Sequence, residues 1–167
     1  MDYLPHPISN IFPMKLADHL ITLSTRRPPD LIVGRPNEPY LLRWHLLPRN
    51  PILNFYLHCF KASDQNREMH CHPWSSVSVI LKGMYADHRE DGFSILKEGD
   101  VEFRLNPKKA HRIELIDGEC WTLFVTFPRV REWGFYCKDE LGNKRFVPWQ
   151  KYVDARDRGQ VGAGCDG

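Results

Sequence analysis

The chain has little of several things, and each shortage narrows what it can be. No apolar run approaches the roughly 18–20 residues that cross a bilayer. The N-terminal stretch MDYLPHPISNIFPMK is broken by prolines where a secretory leader needs a continuous apolar segment. These two absences predict no membrane contact and a cytoplasmic setting. Charge of one sign is not in excess: 23 Lys and Arg against 21 Asp and Glu leave +2 over 167 residues. Bulk composition therefore gives no reason to expect nucleic acid or a polyanion as partner. Cysteine is sparse, and Cys59, Cys71, Cys120, Cys137 and Cys165 are odd in number with no CxxC spacing. That excludes a disulfide scaffold and predicts free thiols, with Cys165 outside the core. No Ser-His-Asp order, phosphate-binding loop, dinucleotide glycine fingerprint or carboxylate pair stands out, which argues against kinase, dinucleotide-dependent dehydrogenase and serine-hydrolase readings.

Long helical periods are missing as well. With 13 prolines and 11 glycines, the one stretch free enough to coil is Met14–Ser24, where Leu16, Leu20 and Leu23 recur near helical spacing. What the chain does have is apolar material, 42% hydrophobic and 12% aromatic, enough for one core at this length. After a Pro-rich lead-in, short β-branched and aromatic runs alternate with turn residues. Strands are expected over 40–46, 54–61, 76–81, 84–89, 94–96, 101–105, 111–116, 121–127, 132–137 and 145–148. So many short strands predict an all-β sandwich or barrel. The organisation reads as 1–39 for the helix and lead-in, 40–156 for the β domain, and 157–167, with four glycines and no apolar cluster, for a flexible tail.

Chemistry concentrates in histidine. His70 and His72 stand two apart in MHCHPW, so an extended backbone puts both imidazoles on one face. His111 opens a later strand-like run, HRIEL. Three neutral imidazoles converging from two strands can hold a divalent transition ion and leave positions open for water and substrate. The other reading of an HxH pair, two strand histidines hydrogen-bonded in a polar pocket or facing solvent, is open at this point. Cys71, of opposite parity, should point away from the pair.

Over roughly 54–127 the sequence resembles the cupin superfamily. His70 and His72 match the first cupin motif, and Gly83 falls at its glycine. Gly99-Asp100 followed by His111 is similar to the second motif, with one extra residue in the connection. The segments HxHPW, WTLF, REWGF and FVPWxxY look like a group of small bacterial and phage cupin-domain proteins. The resemblance implies a jelly roll, the double-stranded β-helix of cupins, with a short N-terminal helix before it. It also implies a metal site of His70, His72 and His111. The sequence departs from the pattern at three places: Ser76 stands at the acidic position, Asp64 at the opening glycine and Leu115 at the asparagine after the last histidine. Three-histidine sites occur in cupin relatives such as the cysteine dioxygenase and diketone-cleaving dioxygenase groups, so a missing carboxylate does not exclude a metal.

A divalent ion on three neutral ligands keeps its charge in a partly dry cavity and favours an anionic ligand. Substrate-binding candidates are Trp74, Ser76, Arg112, Arg129 and Arg131, with Lys82 a further cation. Each has a plain alternative as a strand polar residue, a solvated rim charge or a core ring. His58 and Ser78 are candidates for standing behind the metal ligands, with His58 otherwise a satisfied core histidine. The first functional reading is a mononuclear Fe(II) dioxygenase acting on a small anionic or chelating molecule. The others are a non-oxidative hydrolase or isomerase using Zn²⁺, Ni²⁺ or Mn²⁺, and a non-catalytic small-ligand module. A homodimer through the ring-rich strand 121–127 is also expected.

Overall fold

The computed structural model describes residues 13–35, 37–64, 68–139, 141–154, 156–157 and 160–167. Two antiparallel sheets form the body. The larger has six strands in the order β1 (Leu31–Arg35), β2 (Glu38–His45), β3 (Asn54–Phe60), β9 (Cys120–Thr126), β4 (Ser76–Lys82) and β7 (Val101–Arg104). The smaller is β6 (Gly92–Lys97), β5 (Met84–Arg89) and β8 (Arg112–Leu115). Two hairpins follow, β10 (Gly134–Lys138) with β11 (Lys144–Pro148), and β12 (Val153–Asp154) with β13 (Gln160–Val161). The single expected helix is present as α1 (Met14–Ser24), and a one-turn α2 (Trp149–Tyr152) precedes β12.

Strand parity divides the large sheet into two differently used faces. Leu41, Phe60, Ile80 and Cys120 meet Tyr85, Leu96 and Ile113 of the small sheet and close one end of the interior with apolar packing. Leu57, Cys59, Leu81 and Trp121 point the other way, where Ala17, Leu20 and Ile21 of α1 cover them and Trp44 stacks on Trp121 at 5.5 Å. The buried stripe of α1 is thus Ala17, Leu20 and Ile21. Leu16 and Leu23, two of the leucines that marked the helix in sequence, are 50% and 43% exposed.

The hairpin turn between β4 and β5 depends on a glycine. Gly83 has φ +82°, and a Cβ there would sit 2.5 Å from the Glu119 carbonyl oxygen. Only glycine fits both the backbone region and the space.

Three expectations are corrected. The lead-in before residue 40 is not merely a lead-in, because Leu31–Arg35 pairs with β2 as an edge strand of the large sheet. The segment expected as a free tail is tied back: β13 pairs with β12, and Cys165 is disulfide-bonded to Cys137 and packs beside Phe135, Val147, Tyr152 and Val153. The antiparallel β12–β13 pairing turns the chain back and the disulfide ties residue 165 to β10, so Cys137 and Cys165 are not free thiols. Finally, β9 lies between β3 and β4, so 121–127 is an interior strand with no open edge for pairing to a second copy.

Candidate metal centre

The histidine pair lies in a short extended segment between the two ends of the fold. His70 and His111 exchange backbone hydrogen bonds in both directions, each at 2.9 Å, and the His72 N–H donates to the Pro107 carbonyl at 3.2 Å. Pro73 then ends the ladder, because it has no N–H to donate. Period-two alternation holds across these three residues. Cys71 turns away, fully buried, with its sulfur 2.8 Å from Arg131 Nη1 and 3.5 Å from the Gly134 carbonyl.

The three rings converge on one point. Their centroids are 5.2 Å apart for His70 and His72, 4.7 Å for His70 and His111, and 5.0 Å for His72 and His111. One nitrogen from each lies within 4.8 Å of the others. His72 Nε2 and His111 Nε2 face each other at 2.8 Å, the distance of a hydrogen bond, so both nitrogens point at the same spot in the cluster. The donor set therefore fits a single transition ion.

Two buried carboxylates stand behind these rings: Asp87, outside the cupin motifs, and Asp64, at the position of the opening glycine. Asp87, on β5 with no exposed surface, has Oδ1 2.5 Å from His111 Nδ1. A carboxylate accepts only, so Nδ1 carries the proton and the lone pair of Nε2 faces the cluster. Arg104 Nη2 donates to the same carboxylate at 3.2–3.3 Å, and Arg89 binds both Asp87 and Glu102. Burial alone would push the Asp87 carboxyl up, but His111 and Arg104 hold it well below the usual carboxylate range. Asp64 lies 3.8 Å from His70 Nδ1 and accepts the Ile113 N–H at 3.1 Å.

Burial keeps the His72 and His111 imidazoles neutral, the form that binds metal. It lowers His72 well below its ordinary value, helped by His111, His70 and Arg104, and lowers His111, helped by Arg104. Asp64, Asp87 and Glu102 against Arg89 and Arg104 leave this network with one negative charge in excess. Adding a divalent ion would reverse that to one positive charge.

The other candidates scatter. Ser76 is buried beside Arg104 and Thr126 on the inner wall, and Ser78 lies opposite Phe124 and Glu102. Trp74 directly follows the pair, and its buried indole N–H has no acceptor among the described residues. Arg112 has the parity opposite to His111 and pairs across with His88. Arg129 is exposed and Arg131 is spent on Cys71 and Pro107, so neither reaches the cluster through any bond formed here. Lys82 is exposed at the end of β4. His58 touches no metal-binding candidate; Arg43 Nε donates to it at 2.8 Å. Two surface clefts of about 270 and 250 Å³ adjoin Arg89 and Lys109, and none of the three histidines lines either.

Sequence reading missed Asp87, Arg104 and Arg43. Parity was the one available signal: Asp87 stands two residues from Tyr85 and Arg43 two from Leu41, both inward-facing, whereas Arg104 shares its face with another charged residue, Glu102.

No protein-family model matches the chain, and no curated protein matches it. Solved structures do. DMSP lyase DddQ from Ruegeria pomeroyi DSS-3 aligns with a TM-score of 0.58 and 16% identity, over 79% of this chain and 72% of that one. HppE in its Fe(II) form aligns at 0.50 and 17%, over 58% of this chain and 55% of that one, so the chain spans about half of HppE. A cupin-like protein, tm1010 from Thermotoga maritima msb8, aligns at 0.47 and 15%, over 73% and 86%. At such identities the likeness is one of fold. Two facing antiparallel sheets, apolar at one end and carrying clustered histidines toward the other, define the fold as an all-β, cupin-like jelly roll. Within that fold the three-histidine cluster suits one divalent metal ion.

Proposed function

We propose that the protein is a mononuclear metal-dependent enzyme in which His70, His72 and His111 hold one Fe(II) ion, and that its substrate is a small anionic or chelating molecule oxidised by dioxygen. The observation that carries this reading is the convergence of three imidazoles with His111 locked in one tautomer by Asp87. Such locking is what raises and aims a ligand nitrogen. Three neutral ligands leave coordination positions free, and the residual positive charge favours an anion. Bound there, iron would supply activation of dioxygen beside the substrate.

The chain's own residues do the rest. Asp87 and Arg104 fix the His111 ring, Asp64 leans on His70, and Phe124 packs 6.1 Å from His72 as an apolar wall that keeps water from the cluster.

The test begins with the metal content of untagged protein purified without oxygen. Oxygen uptake by the iron-loaded protein is then screened with thiol carboxylates, diketones and hydroxylated aromatic acids. Turnover above that of His111→Ala is expected. Zinc, nickel or manganese with turnover but no oxygen uptake would replace this reading with a hydrolase or isomerase. Ligand binding with no turnover on any metal would replace it with a binding module.

A further inference from the structure

Next to the cluster, the inner wall of the large sheet carries a cation with no counter-charge among the described residues. Arg43 on β2 pairs across with His58 on β3. Its Nε donates to His58 Nε2 at 2.8 Å, and its guanidinium lies 4.9 Å over the Tyr56 ring. The charged or ionisable groups that interact with it among the described residues are Arg49, Tyr40, Tyr56, His45 and His58, none of them a carboxylate. Burial lowers the guanidinium to about 10. Arg43 is half-buried, and a cation so withdrawn from water normally takes a carboxylate partner, because leaving it unpaired is costly. His58 is held neutral by burial and by Arg43, so it serves the guanidinium as an acceptor and adds no charge of its own.

A second observation lies on the same inner wall. Thr122 stands opposite His58 on β9, is 1% exposed, and its hydroxyl has no partner among the described residues. Between this group and the histidine cluster stands one ring. Phe124 packs 4.9 Å from His58 on one side and 6.1 Å from His72 on the other. The wall thus offers an unpaired planar donor fork and an unpaired hydroxyl, one aromatic ring away from three imidazoles.

We propose that Arg43, positioned by His58 and aided by Thr122, docks a carboxylate at the far end of a substrate whose other end chelates the ion on His70, His72 and His111. The substrate class becomes a two-headed acid: a chelating group such as a 2-hydroxy acid, a spacer long enough to pass Phe124, and a distal carboxylate gripped by two guanidinium N–H groups. The inference rests on the metal-site reading above, and the experiment separates the two.

Zinc-loaded protein is titrated calorimetrically with 2-hydroxyglutarate and with 2-hydroxypentanoate, which has the same chain and lacks the distal charge. The parent is expected to favour the dianion by about ten- to a hundredfold. Arg43→Gln should bring the ratio to about one while keeping one zinc per chain. Arg43→Lys, which keeps the charge and loses the fork, should lose most of the preference. Thr122→Val should reduce it, with the melting temperature of the free protein held or raised because an unpartnered buried hydroxyl is gone. An unchanged ratio in Arg43→Gln and Arg43→Lys overturns the proposal. If the parent binds no metal, the reading of the histidines has failed, and the carboxylate site is tested alone: glutarate should raise the melting temperature of the metal-free parent and not of Arg43→Gln, and equal shifts overturn it.

Discussion

His111 and Asp87 meet Nδ1 to Oδ1 at 2.5 Å, and the same carboxylate takes Arg104 from the side. One buried acid therefore sets the tautomer of a metal-binding candidate and neutralises a guanidinium. Asp87→Asn should weaken metal binding about ten- to a hundredfold, as loss of a carboxylate behind a ligating histidine does elsewhere. Competition against a chromophoric chelator measures this. Asp87→Ala should in addition cost the metal-free protein about 3–5 kcal/mol in urea unfolding, because Arg104 is left buried without its partner. Unchanged affinity in both would show that the backbone alone aims His111.

The HxH segment separates two functions by parity. His70→Ala, His72→Ala and His111→Ala should each bring metal well below one ion per chain. Cys71→Ala should keep it at one, since that sulfur faces Arg131 and Gly134. Metal analysis after gel filtration reads the difference, and equal loss in all four variants would contradict the ligand set.

The Cys137–Cys165 bond closes a loop of sequence separation 28. By chain entropy such a cross-link is worth about 3–4 kcal/mol. Cys165→Ser should lower the stability of the protein by that order in guanidinium unfolding. Metal stoichiometry should not move, because neither sulfur contacts an imidazole of the cluster.

Acid should unfold the protein in part through His58. Its folded value is well below its ordinary one, with burial the main cause and Arg43 next. The unfolded chain then binds more protons than the folded one below about pH 6.5. The stability that neutral His58 contributes is therefore full above that pH and is lost as the pH falls toward the folded value. The melting temperature should drop from pH 7.5 to pH 5, and His58→Gln, which keeps an acceptor for Arg43 and cannot titrate, should show a shallower drop. An identical slope would remove His58 from the account.

Gly83→Ala tests the turn into β5. With φ +82° and a carbonyl oxygen 2.5 Å from the new Cβ, the backbone must shift as well as strain. A loss of at least about 1–3 kcal/mol is expected in denaturant unfolding.

Much of the fold was legible because alternation is a local property. All ten expected strands exist, most with ends displaced by one or two residues. The edge strand Leu31–Arg35 was hidden by its surroundings: Gly34 sits at an irregularity in the ladder, and Pro39 is accommodated in β2 opposite it. Prolines and glycines there read as loop, although a sheet edge tolerates both. The three histidines were legible because their residue type is rare and their spacing carries chemistry. Asp87, Arg104 and Arg43 were not, since a charged residue on a half-polar strand looks the same whether it faces water or a cavity. Which of the two holds depends on how far along the barrel the position lies, and that depth is set by pairing between distant strands. The tail was misread for a related reason: Cys165 gains its partner only after the β12–β13 pairing turns the chain back.

Strand β3 has no solvent side from Tyr56 onward, with Tyr56, His58 and Phe60 directed inward and Leu57 and Cys59 beneath α1. It behaves like a key cut on both edges. A slip of one residue would push leucine and thiol against Arg43 and drive an imidazole and a phenol under the helix, so each face independently rejects the error. Most strands with one wet face have a single such check. For anyone wishing to reshape the interior, the practical reading is to leave β3 alone, because a change on either of its faces meets packed neighbours.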